Sequence, residues 1–159
     1  WSQLKMKAVS GPYAGASLDW LPSQMMSWQA WKAAYPAGRV LSPETGHRRN
    51  YQQMPYADYE ASPQVMFPIP HLRDDLAVKA WVVGILLDGE AHAFALAAIE
   101  AHRGWQGEIA GTQVEVRFAD EAVEVVNQAT GETLPHVLAY WFAWQAFYPE
   151  TSLWEGEPS

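Results

Sequence analysis

Histidine comes first among the residue types that could do chemistry, because neutral imidazole is the commonest metal ligand and a general base near neutral pH. The chain has five histidines, His47, His71, His92, His102 and His136. No two stand four apart, and there is neither an H-E-x-x-H pattern nor any cysteine. Glu90-Ala91-His92 would place its two polar side chains on one face of a strand, and Glu100-Ala101-His102 repeats the spacing. His71 with Asp74 and Asp75 is a better cluster, because a loop can wrap carboxylates around a cation. The metal-ligating candidates are therefore His71, Asp74, Asp75 and His92, with solvated surface charge as the competing account. Beyond such an ion no cofactor is expected. No serine stands in a G-x-S-x-G elbow and no glycine loop is built to cradle phosphate. Carboxylate pairs for glycoside chemistry need only proximity in space, and no spacing singles one out. No residue is assigned as catalytic, and the balance favours a protein that is not an enzyme.

A second constellation could bind rather than react. The polar, turn-rich run from Ser42 to Tyr59 gathers Thr45, His47, Arg49, Tyr51, Tyr56, Asp58 and Tyr59. A loop of that length in a compact domain is either functional or held down by its own side chains. As a site, its arginine and tyrosine donors suit an anionic or sugar ligand. As structure, Arg49 and the tyrosines would pin the loop to the body through carbonyl hydrogen bonds.

Whatever these loops do, larger elements must position them, and the clearest is a duplication. Leu21–Pro36 aligns without a gap on Leu134–Pro149, with Leu, Pro, both Trp, two Ala, Tyr and Pro identical. Val40-Leu41 then stands opposite Leu153-Trp154. Each copy reads as a short helix with a hard stop. Trp28, Trp31 and Tyr35 fall at i, i+3 and i+7, one helical face, and Trp141, Trp144 and Tyr148 repeat it. Ser27 suits the N-cap of the first copy, while Pro36 and Pro149 push the tyrosine before them towards extended geometry. All six aromatics are expected to be core anchors, each burying on the order of 150–250 Å². A stacking platform for a flat ligand is the alternative. If the copies are equivalent, they form a pseudo-symmetric core with Trp28 and Trp141 in related environments.

Between the copies the pattern changes to strands. Met66–Pro70 reads as a proline-punctuated edge, and Trp81–Leu87 as a buried strand turning at Asp88-Gly89 into Glu90–Leu96. Leu96–His102 suits a short helical turn. Thr112–Phe118 and Ala122–Asn127 form a second hairpin through Ala119-Asp120-Glu121, and Thr130-Gly131-Glu132 makes a further turn. The fold expected is α+β and β-rich, with antiparallel hairpins flanked by two short, related, tryptophan-bearing helices.

Composition narrows the function. The 159 residues suit one domain, 1–159, with a real core, and nine tryptophans are the loudest signal. The net charge of −8 argues against nucleic acid, since only His47-Arg48-Arg49 is locally basic. No apolar run approaches the roughly 20 residues of a membrane helix, so no transmembrane segment is expected.

These blocks, in this order, resemble a bacterial and archaeal family known as domain of unknown function three-one-seven-nine. Trp1-Ser2-Gln3 and Gly11-Pro12-Tyr13-Ala14-Gly15 resemble its opening. Leu21-Pro22, Trp28, Trp31, Tyr35-Pro36 and Val40-Leu41-Ser42 resemble its L-P…W-x-x-W…[HY]-P…V-L-S block. Thr45-Gly46, Arg49, Tyr51 and Pro55-Tyr56-x-x-Tyr59 resemble its T-G-x-x-R-x-Y…P-Y-x-x-Y block. Met66-Phe67-Pro68 and Phe142-Ala143-Trp144…Tyr148-Pro149-Glu150-Thr151 complete the likeness. The resemblance implies an extracytoplasmic, periplasmic or lipid-anchored protein in which these residues are the C-terminal part of a longer precursor. It implies no activity. The expectation is a non-catalytic interaction or structural module of an envelope assembly, meeting a protein partner or an upstream segment of its own precursor. A small-ligand module using the Thr45–Tyr59 loop is the first alternative, and a metal-dependent enzyme the second.

Overall fold

The computed structural model describes residues 1–66, 68–69, 72–119 and 122–156. His71, most of the turn at Ala119–Glu121, and Phe67 and Pro70 of the expected edge lie outside these residues. The elements are α1 (Trp28–Ala34), α2 (Ala57–Ala61), β1 (Trp81–Leu87), β2 (Glu90–Ala95), α3 (Leu96–His102), β3 (Trp105–Ile109), β4 (Thr112–Ala119), β5 (Ala122–Asn127), β6 (Val137–Tyr140), α4 (Trp141–Phe147) and β7 (Ser152–Trp154). The fold is α+β and β-rich, with two sheets in the orders β6-β1-β2-β7 and β3-β4-β5.

Turn chemistry sets the hairpins. Asp88 and Gly89 take φ of 48° and 87°, the two left-handed positions that let strands continue their twist into an antiparallel partner. Val82 therefore lies opposite Ala95, and Gly84 opposite Ala93. Ala110 and Gly111, at φ 48° and 76°, make the corresponding turn between β3 and β4. Strand β3 is an addition to the sequence reading, since Ala-Gly is a weaker hairpin signal than Asp-Gly and Gly107 dilutes the strand pattern.

The alternation of strand side chains divides the core in two. Val83, Ile85 and Phe94 on one face of the larger sheet meet Ile109, Val114, Val116, Val123 and Val125 from the smaller sheet, with Ile99 of α3. Val82 and Ala93 on the opposite face meet Trp141 and Trp144 of α4. The result is three layers: small sheet, large sheet, then α4. Residues 1–20 lie over α4, where the Tyr148 hydroxyl donates to the Leu4 carbonyl at 2.7 Å and Trp20 packs into the same cluster.

Candidate functional site

The second tryptophan copy shows what this motif does when packed. The four residues after its histidine, Val137–Tyr140, form strand β6 against β1 just ahead of the helix, a strand that the sequence reading leaves unassigned. The chain then turns into α4, with Trp141 N–H donating to the Ala80 carbonyl at 2.8 Å. Trp141 and Trp144 are both 0% exposed. Room for the indoles comes from small strand residues: Gly84 stands against the Trp144 ring, where any Cβ would overlap it, and its cross-strand partner is Ala93. The Trp144 indole N–H donates to Thr151 Oγ1 at 2.9 Å, and its ring packs on Tyr148 with centroids 4.4 Å apart. Burial raises the Tyr148 phenol above its ordinary value.

Arg73 locks this copy from the side. It makes a bidentate pair with Asp75, both bonds 2.9 Å, donates to the Thr151 carbonyl at 2.7 Å, and sits 5.0 Å from the Trp141 ring centroid. The hydrogen bonds from Arg73 hold the Asp75 carboxyl below the usual carboxylate range.

The first copy has the same local conformation. Its N-cap Ser27 lies at φ −64°, ψ 153° and its C-cap Tyr35 at −126°, 66°; Tyr140 and Tyr148 lie at −71°, 145° and −130°, 71°. Gly38 N–H donates to the Tyr35 carbonyl at 2.8 Å, as Thr151 N–H does to that of Tyr148 at 3.0 Å. Ser27 caps through its side chain, accepting from Ala30 N–H at 3.1 Å.

The surroundings are different, and here the expectation of core anchors is corrected. Trp28 is 54% exposed and Tyr35 52%, and α1 has no buried residue. Trp31 is half-buried: it stacks on Trp28 at 5.0 Å and covers Gly38. Rather than packing on a sheet, Trp31 and Tyr35 border an open cleft with Pro22, Met26 and Thr133. Trp28 and Trp141 therefore stand in unrelated environments, which overturns the pseudo-symmetric core. The following segment repeats the contrast. Ser152–Trp154 joins β2 as the parallel strand β7, whereas Val40 and Leu41 are 65% and 95% exposed. Helix α1 faces β5 across a second cleft, of ≈ 530 Å³, bordered by Met26, Ala30, Ala33, Tyr35, Ala122 and Glu124. A bond of 3.2 Å from Gln24 to Glu124 spans that side. Large apolar groups left in water in this number are what interaction surfaces show.

The loop candidates are only partly gathered. The Thr45 and Tyr51 hydroxyls are hydrogen-bonded at 2.6 Å, and His47 N–H donates to Thr45 Oγ1 at 3.4 Å. Arg49, Asp58 and Tyr56 are exposed. The residue that ties this region down is one the sequence reading passed over. Lys79 donates to the carbonyls of Tyr59 and, at 2.6 Å, Ser62, and its ammonium lies 3.3 Å from the Tyr59 ring centroid. Only that lysine's charge could have signalled a partner, and nothing in its spacing named Tyr59.

Among the described residues the metal candidates Asp74, Asp75 and His92 do not converge, and His71 lies outside those residues. Asp75 is engaged by Arg73, Asp74 is exposed, and His92 Nδ1 is 2.6 Å from Ser152 Oγ across the parallel β2–β7 pair, with Glu90 3.5 Å from its other nitrogen. Among the described residues no group of three His, Asp or Glu side chains is placed to hold an ion. No described helix is long and apolar enough to cross a membrane.

No curated protein and no solved structure matches the chain. A family does, over residues 1–151, nearly the whole length and both tryptophan copies. On that match the chain belongs to the family described as Protein of unknown function (DUF3179).

Proposed function

We propose that the protein is a non-catalytic interaction module that works outside the cytoplasm and docks a polypeptide partner through its first tryptophan copy. One observation carries this reading: the same helix-and-turn conformation occurs twice, buried under a sheet at Trp141 and Trp144 and open to solvent at Trp28 and Tyr35. Tryptophan and tyrosine are among the residue types enriched at interface centres. The extracytoplasmic setting rests on the family resemblance alone.

The test compares the native protein with the double variant Trp28→Ser, Tyr35→Ser, each mixed with envelope extract from the cells that make it and sized by chromatography. The native protein is expected in a larger complex. The variant is expected to run at its own mass with an unchanged melting temperature. Identical elution of the two proteins overturns the reading.

A further inference from the structure

The chain contains its own template for what should cover the open copy. This inference rests on the docking reading above and deepens it. Shifting the second copy onto the first places Trp144 on Trp31, Thr151 on Gly38, and Ser152, Leu153 and Trp154 on Arg39, Val40 and Leu41. Backbone angles at both caps and the hydrogen bond across the following turn agree between the copies. The backbone frames that carry the aromatic rings and the following segment therefore agree as far as that turn, although Trp31 itself stacks on Trp28 and lies over Gly38. In the second copy those groups are filled by a hairpin. Its cross-strand pair Gly84 and Ala93 leaves a hollow for the second indole, and the edge of its second strand accepts Ser152–Trp154 in parallel.

We propose that the first copy is the receptor for a β-hairpin of the same kind carried by a partner protein. The hairpin presents a glycine or alanine pair to Trp31, and its second strand accepts Arg39–Leu41 as a parallel neighbour. Hairpin β1–β2 of a second copy of this chain does not serve, because its small-residue face is already filled by that copy's own α4.

Charge points the same way. Residues 28–53, the open helix and the chain that follows it, hold four Lys and Arg against one Glu, +3, within a chain whose total is −8. Lys32, Arg39, Arg48 and Arg49 lie in or just after the open copy, and Lys32 stands 5.4 Å from the Trp28 ring centroid. The template hairpin carries Asp88 and Glu90 at its turn and no Lys or Arg from 81 to 95. An acidic hairpin turn is the complement of this basic surround. Trp31 now lies over Gly38, with its ring against the turn that follows its own helix. In the docked form the ring moves off Gly38 and into the partner's hollow, as Trp144 sits over Gly84.

The experiment places p-benzoylphenylalanine at Leu41 and, in a separate protein, at Tyr35, both exposed enough to leave the fold alone. Each protein is expressed in its own cells and irradiated, and the cross-linked peptides are sequenced. Both probes are expected to mark one partner polypeptide, the Leu41 probe within a strand that has a glycine or alanine opposite its hairpin mate. Changing that small residue to leucine is expected to cut cross-linking by about tenfold, the order that overpacking a filled hollow produces. Cross-links to a partner's helix, or to a partner segment without such a pair, overturn the hairpin assignment and leave the docking reading standing, whereas cross-links confined to the same polypeptide overturn both. Cross-links only to lipid or saccharide, or none from either position, overturn both.

Discussion

The two tryptophan copies share a backbone and differ in almost everything that stabilises a fold. One carries Trp141 and Trp144 wholly buried, with an indole bonded to Thr151 and a guanidinium alongside; the other stacks Trp28 on Trp31 in water. A helix-and-stop motif therefore needs no sheet to form. The N-cap, the intrahelical bonds and the proline after the tyrosine suffice to specify its shape. What the sheet adds is burial, and burial is where the energetic difference between the copies lies.

The sharpest way to break this comparison is to remove the equivalent indole from each copy. Trp144→Ala is expected to cost about 3–5 kcal/mol in denaturant unfolding, and Trp31→Ala less than about 1 kcal/mol. Equal losses would mean the first copy is packed in solution after all. Filling the hollows gives the next largest contrast. Gly84→Val forces a branched side chain into the Trp144 ring and is expected to destabilise by about 1–3 kcal/mol or more, whereas Gly38→Ala presses on the Trp31 ring and the Tyr35 carbonyl, strains only a surface turn, and is expected to move the midpoint less.

The phenols separate the copies more finely. Tyr148→Phe removes the bond to the Leu4 carbonyl and is expected to cost about 1 kcal/mol, while Tyr35→Phe should be neutral. Acid should reach only the buried copy. The folded Asp75 carboxyl titrates below its unfolded value, so the native state binds fewer protons than the unfolded one. Its contribution is present above the unfolded carboxyl range, about pH 4, and is lost as pH falls through the lowered folded value. Thermal midpoints measured down that range should fall less steeply in Asp75→Asn. The smallest effect concerns Ser27→Ala. It should speed amide exchange across α1 without moving the global midpoint, because α1 can open while the sheets stay closed.

These contrasts show which features were legible in the residues. Periodicity and the Asp88-Gly89 turn gave β1, β2 and α3 within a residue or so, since each rests on a local rule. The i, i+3, i+7 faces gave both tryptophan helices. Their environments were not legible, because an identical motif predicts an identical helix and says nothing of what lies across from it. Strand β6 was hidden for a related reason: Val137–Tyr140 aligns with Gln24–Ser27, and only pairing with β1 makes one of the two a strand. In the candidate loop the residue types were visible, but their tie to the body came from Lys79, about twenty residues away, and no local pattern encodes that.

The reach of the Tyr148–Leu4 bond has a consequence for how the chain acquires its structure. It joins residues 144 positions apart, and β7 closes on a strand laid down some sixty residues earlier. Contacts of such separation form late, after shorter loops have closed. During synthesis the β1–β2 hairpin and the β3-β4-β5 sheet can assemble as they emerge, while the first twenty residues and the Gly84 face have nothing to settle on until α4 has left the ribosome. Through that interval an apolar sheet face stays uncovered, so the α4 segment is the step on which escape from aggregation depends.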